Sequence, residues 1–124
     1  MSDPAVASFE RACAHDRAGR EEEAVPCYED ALARGLGDPE RPRAFVGLGS
    51  SLRNLRRHAE AVAILEQGLT EYPDHAGMRL FHALALRSAG REREAFAALG
   101  RLVLDEADLQ GYERAAAFYL GQLD

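Results

Sequence analysis

The sequence predicts an all-α chain, three helix–turn–helix units stacked side by side and closed by a seventh helix. Three observations carry this. The five-residue frame R-x-x-E-A returns at Arg20–Ala24, Arg57–Ala61 and Arg91–Ala95, with its alanines 37 and then 34 residues apart. A fixed period in this range marks stacked repeats, units that each bury an apolar face against the next. Apolar residues recur at helical spacing after every frame and again before it. Finally, 47% of residues are apolar and 29% charged, Trp is absent and aromatics make up 7%, so Leu, Ala and Val must build the core.

Unit one spans about residues 5–38. Asp3 is placed to cap its first helix, because its carboxylate can accept backbone N–H groups left without partners. Pro4 follows at the first helical position, where Pro costs little. Phe9 and Ala12 mark the apolar face, and Gly19 supplies a left-handed stop. The second helix carries Ala24, Tyr28, Ala31 and Leu32 on one face. Pro26 lies inside it and is expected to kink the helix or to delay its regular start to about Ala24. The connection Arg34–Arg41, with Gly35, Gly37 and Pro39, is a short insertion that accounts for the longer first interval.

Unit two spans about 42–75. Asp38 is the expected cap and Pro39 the first helical residue. Phe45, Leu48, Gly49 and Leu52 share one face of its first helix, and Ala61, Leu65, Gly68 and Leu69 share one face of its second. Arg56 stands where the other units have Gly19 and Gly90, so this turn is expected to close differently. Unit three spans about 76–109, with Asp74 as the expected cap, then Ala83 and Leu86, then Ala95, Leu99, Leu102 and Val103. Asp108 opens the last segment, about 109–123, which puts Ala116, Ala117 and Leu120 on one face. A helix without a following partner there covers the apolar end of the stack.

Length and charge bound the rest. The 124 residues suit one domain, 1–124, which needs no disulfide or metal to fold. The net charge is −6, and the successive stretches 1–35, 36–75 and 76–124 hold −4, −1 and −1 with no basic stripe, which disfavours a nucleic-acid partner. All 15 basic residues are Arg, which with the abundant Ala reads as the codon bias of a GC-rich genome. The segment Met1–Val6 has no basic and apolar regions of leader type, and no run of 18 apolar residues exists to span a membrane. Cys13 and Cys27 do not make a disulfide framework. The expectation is a cytoplasmic protein.

The pattern resembles the tetratricopeptide repeat, a 34-residue helix–turn–helix with the signature W-x₂-L-G-x₂-Y, then A-x₃-F, then P. Unit two carries it as Phe45-x₂-Leu48-Gly49-x₂-Leu52, Ala61-x₃-Leu65 and Pro73. Unit three keeps Ala83, Leu86, Ala95 and Leu99 but has Arg79, His82 and Ala107 at other signature places. Unit one keeps Ala12, Ala24, Tyr28 and Ala31 but has Ser8, Arg11 and His15 at three large apolar ones. The resemblance covers residues 5–124 and implies a right-handed α–α superhelix of a small, stand-alone, three-repeat bacterial type.

The resemblance also implies a concave face lined by the first helix of each unit. That face would hold Val6, Phe9, Cys13, Asp16 and Arg17 from unit one, and Arg43, Val46, Ser50, Arg53 and Asn54 from unit two. Leu80, Leu84, Arg87 and Ser88 come from unit three, and Arg114 and Phe118 from the last helix. The family's chaperone cofactors grip a C-terminal carboxylate with Lys, Asn and Arg. The matching places here are Phe9, Cys13, Gly47, Gly77 and Phe81, none of which can donate a charged hydrogen bond, so a carboxylate clamp of that kind is not expected. An apolar floor beside an arginine rim suits an amphipathic helix or apolar peptide, or a second copy forming a homodimer. The alternative reading is that some of these apolar residues fill space within the three-unit stack.

Residue types that look like chemistry are placed wrongly for it. In Cys13-Ala14-His15-Asp16, Cys13 and His15 point roughly 200° apart on a helix, whereas side chains that meet are three or four apart. No C-x-x-C or His-x-x-x-His occurs, so no metal, cofactor or catalytic residue is expected. A small-molecule enzyme is a remote alternative, since the floor lacks convergent polar groups. His82 is expected as a half-buried core histidine, and the Glu21-Glu22-Glu23 run as a solvated first turn favoured by the helix dipole.

Overall fold

The computed structural model describes residues 3–123; Met1, Ser2 and Asp124, at the ends of the expected domain, lie outside the described residues. The described residues form seven helices: α1 (Pro4–Arg17), α2 (Glu21–Ala33), α3 (Glu40–Asn54), α4 (His58–Glu71), α5 (Ala76–Ser88), α6 (Glu92–Glu106) and α7 (Glu113–Gly121). The first six pair as α1–α2, α3–α4 and α5–α6, the expected three units.

The turn inside each unit is the same. Gly19 (φ 74°), Arg56 (φ 63°) and Gly90 (φ 81°) are all left-handed. In each case the next N–H donates to the carbonyl five residues back: Arg20 to His15, Arg57 to Leu52 and Arg91 to Leu86, at 2.8–2.9 Å. The expectation that Arg56 would force a different closure is therefore wrong. The hydrogen bonds that satisfy the helix end outweigh the cost of roughly 1 kcal/mol for a side chain in this conformation.

The helix starts differ more from expectation. Asp3 does cap α1, accepting from Ala5 N at 2.9 Å. Asp38 instead accepts from the Tyr72 hydroxyl, and Pro39 sits just ahead of α3 at the cap position. His75 rather than Asp74 caps α5, its Nδ1 accepting from Met78 N at 3.0 Å. Asp108 accepts from Gln110 N within a turn, so α7 begins only at Glu113 and not at residue 109. Two left-handed residues, Gln110 (φ 57°) and Gly111 (φ 97°), separate α6 from α7. Pro26 does not delay α2, which starts at Glu21.

Small residues set the packing. The frame alanines Ala24 and Ala61 are fully buried and Ala95 nearly so. A Cβ on Gly49 would lie 2.5 Å from Leu65 Cγ, so α3 and α4 approach as only glycine permits. Between units, a Cβ on Gly47 would strike the Tyr28 ring at 2.5 Å, which places α3 directly over α2.

The helices form two layers. α1 touches α3 and α3 touches α5, whereas α2, α4 and α6 do not touch one another. The first-helix layer is thus the short, inner side of the stack and the second-helix layer the outer side. α7 departs from this order: it touches α6 and nothing else.

Candidate interaction surface

The inner layer holds most of the residues expected on the concave face, but in separate places. Val6, Phe9, Cys13 and Arg17 of α1 meet Arg43 of α3 around a shallow depression that also contains Glu10 and Glu40. Phe9 is only 5% exposed, with the Tyr28 ring 6.2 Å away and the Arg43 guanidinium 5.4 Å above it. It belongs to the core rather than to an open floor, because α2 and α3 close over it. Val46 and Ser50 are half-buried and Asn54 is exposed along α3. Arg53 reaches across to α5, where its Nε donates to Ser88 Oγ at 2.8 Å.

Leu80, Leu84 and Arg87 line a second, more apolar depression, whose other wall is α6 through Ala95, Phe96 and Leu99. Phe118 and Arg114 stand apart from it on α7. Phe118 is exposed and edge-on to Tyr119, with centroids 5.4 Å apart. Since α7 does not touch α5, these two do not join the inner helices.

Phe96 and Tyr119 are surface residues that the sequence reading passed over, and Leu99 and Val103, expected on a packed helix face, are exposed beside them. Seven large apolar side chains are exposed among the described residues, and all lie from Leu80 onward. Comparing equivalent places in the repeat explains why. Tyr28, Leu65 and Leu99 occupy one repeat position, with exposures of 3%, 1% and 42%. Val25, Val62 and Phe96 occupy another, at 3%, 3% and 65%. In units one and two the first helix of the next unit lies over these residues, α3 on α2 and α5 on α4. In unit three no helix takes that seat. α7 leans on α6 alone, with Leu120 against Gly100, where a Cβ would come within 2.4 Å. Between them a third apolar depression opens, lined by Phe96, Leu99, Val103 and Tyr119.

The two layers also differ in charge. Helices α1, α3 and α5 carry seven Arg against three acids, whereas α2, α4 and α6 carry twelve acids against two Arg. Counting by successive stretches of the chain averages this away, because each stretch holds helices of both layers. Two pairs tie the layers together, Arg41–Glu71 and Arg79–Asp105, both at 2.7 Å. The Arg41 guanidinium holds the Glu71 carboxyl below its usual range. Arg17, Arg43, Arg53 and Arg87 have no carboxylate partner among the described residues. Of the frame pairs, Arg57–Glu60 and Arg91–Glu94 form at 2.6 Å, while Arg20 donates to His15 Nδ1 at 3.1 Å.

The residues that resembled a reactive set are each engaged elsewhere. Asp16 accepts from the Tyr28 hydroxyl at 2.8 Å, and His15 accepts from Arg20. Burial above all, then Asp16 and Cys13, pushes the Tyr28 phenol far above its usual value, so it stays neutral and donates. Cys13 and Cys27 are free thiols on different helices. His82 is half-buried with Nε2 3.2 Å from Glu66 Oε2. Among the described residues there is no group of three or more His, Cys, Asp or Glu that could hold a metal, and no helix long and apolar enough to cross a membrane.

Comparison with known proteins agrees with this architecture. A family model described as "Tetratrico peptide repeat" matches residues 5–123. No curated protein matches the chain.

Proposed function

The chain belongs to the tetratricopeptide repeat family, a scaffold for protein–protein interaction, and on that premise we propose that it binds an apolar or amphipathic segment of another protein along its inner face. The observation that carries this is the open place beside Leu80 and Leu84, where residues buried in the first two units stand exposed. Monomeric proteins rarely leave a contiguous apolar surface uncovered unless something docks there. The unpaired arginines of the inner helices make up the polar rim.

The experiment compares the wild-type chain with Leu84→Arg and Val46→Glu as bait. Both residues are half-buried on the inner helices, so helicity is checked first by circular dichroism. The expected result is intact helices and lost capture of the wild-type partner. If folded forms of both variants recovered every partner, the inner face would be the wrong surface.

A second reading is self-association. An aromatic side chain presents roughly 150–250 Å², so Phe96, Phe118 and Tyr119, about two-thirds exposed, with Leu80, Leu99 and Val103 amount to on the order of 600 Å². Two such faces would cover about 1,200 Å², the lower edge of stable interfaces. Light scattering across a concentration series tests it, since a monomeric mass throughout removes this reading.

A further inference from the structure

We propose that the open seat on α5 and α6 takes an acidic, amphipathic α-helix from a partner protein, in the way that α3 and α5 occupy the two seats before it. This rests on the protein-binding reading above and names the chemistry of the partner.

The shape of the occupant follows from the repeat. The seats on α1–α2 and α3–α4 are built from the same positions, and each holds a helix. Leu99 and Phe96 continue the series Tyr28–Leu65 and Val25–Val62, so the third seat has the same floor with its cover missing. A helix with a narrow apolar stripe restores the burial that the first two units already have.

The charge of the occupant follows from the layers. The inner wall of the seat is α5, which carries Arg79 and Arg87 and no acid. Arg79 is paired with Asp105 of the outer layer, which leaves Arg87, in the lining of the depression, facing any helix laid there. Glu92 stands on the other edge of the depression. Acidic residues are therefore favoured on one flank of the incoming helix and disfavoured on the other, which sets its rotation.

The α1 end of a second copy fits less well. The exposed side of α1, at the places by which α3 and α5 meet their seats, offers Ala7, Glu10, Ala14 and Arg17. It has no large apolar side chain to fill the space beside Phe96. The chain's own α7 lies on α6 and leaves the α5 side of the seat open.

The test uses the full chain and two labelled model peptides of about 18 residues, five helical turns. Both have the same Leu–Ala stripe; one carries Glu along one flank and the other Lys. Fluorescence anisotropy is measured at about 0.05 and 0.3 M salt, across which screening weakens exposed pairs. The expected result is about tenfold tighter binding of the Glu peptide at low salt, a smaller preference at high salt, and loss of that preference in Arg87→Glu. Phe96→Asp should lose both peptides; Arg87 and Phe96 are exposed, so neither change threatens the fold. Equal binding of the two peptides overturns the charge assignment while leaving a protein-binding face intact. Binding that survives Phe96→Asp overturns the seat. No binding of either peptide overturns the inference, and with a doubled mass of the free chain it assigns the seat to a second copy and removes the inner-face reading as well.

Discussion

Truncating Leu65 and Leu99 separately asks whether the third unit is open. The two leucines hold the same repeat position, one 1% and the other 42% exposed. Leu→Ala removes three carbons, worth about 2.4 kcal/mol at roughly 0.8 kcal/mol per buried carbon. At Leu65 a cavity term adds to this, because Gly49 is pressed against it and α3 cannot follow the lost volume. The total is about 3 kcal/mol, within the range of roughly 2–5 kcal/mol for such core truncations. At Leu99 little more than half of the transfer term applies, and water can enter without leaving a void, so the cost is about 1.4 kcal/mol. For a domain of this size each kcal/mol is worth about 4 °C, giving falls in Tm of about 12 °C and about 6 °C. Urea titration monitored by circular dichroism gives the free energies directly. Equal costs at the two sites would refute the reasoning, since they would mean that Leu99 is as well covered as Leu65.

Three further outcomes follow from particular residues. Arg56→Gly should raise stability by about 0.5–1 kcal/mol, read as a higher urea midpoint, because Arg56 is left-handed at φ 63° and glycine holds the equivalent place in the other two units. Ser51→Ala should stabilise by about 1 kcal/mol in the same assay: the Ser51 hydroxyl is fully buried without a partner, and unit three has Ala85 there. The carboxyls of Asp30 and Glu71 are depressed, the first by Ser8 and then Arg34, the second by Arg41. Their contribution is thus present above the ordinary carboxylate pKa of about 4 and is lost as pH falls through the depressed values. Melting temperature should drop as pH falls below about 4, and Arg41→Gln should lessen that drop.

The repeat was legible because it is local. R-x-x-E-A places Ala24, Ala61 and Ala95 at the same buried point of three helices, and a residue that must be small to let two helices touch announces itself wherever the contact recurs. Helix starts were less legible, since Asp38, Asp74 and Asp108 have the right chemistry but Tyr72, His75 and Gln110 compete for the roles. Arg56 misled for a related reason: an unfavourable residue was taken to change the turn, whereas the hydrogen bonds of the turn overrode the residue.

The sequence by itself determined the period, the six paired helices and the small residues at their crossings. Each of these depends on residues within one unit or its neighbour. Only the tertiary structure decided which copies of a repeat position are covered. Leu65 and Leu99 are the same residue in the same local pattern, and burial is not a property of that pattern but of what lies across from it. The turn at Gln110 and Gly111 and the contact of Leu120 with Gly100 lay α7 on α6 alone. The apolar face that two units bury is thereby left exposed in the third.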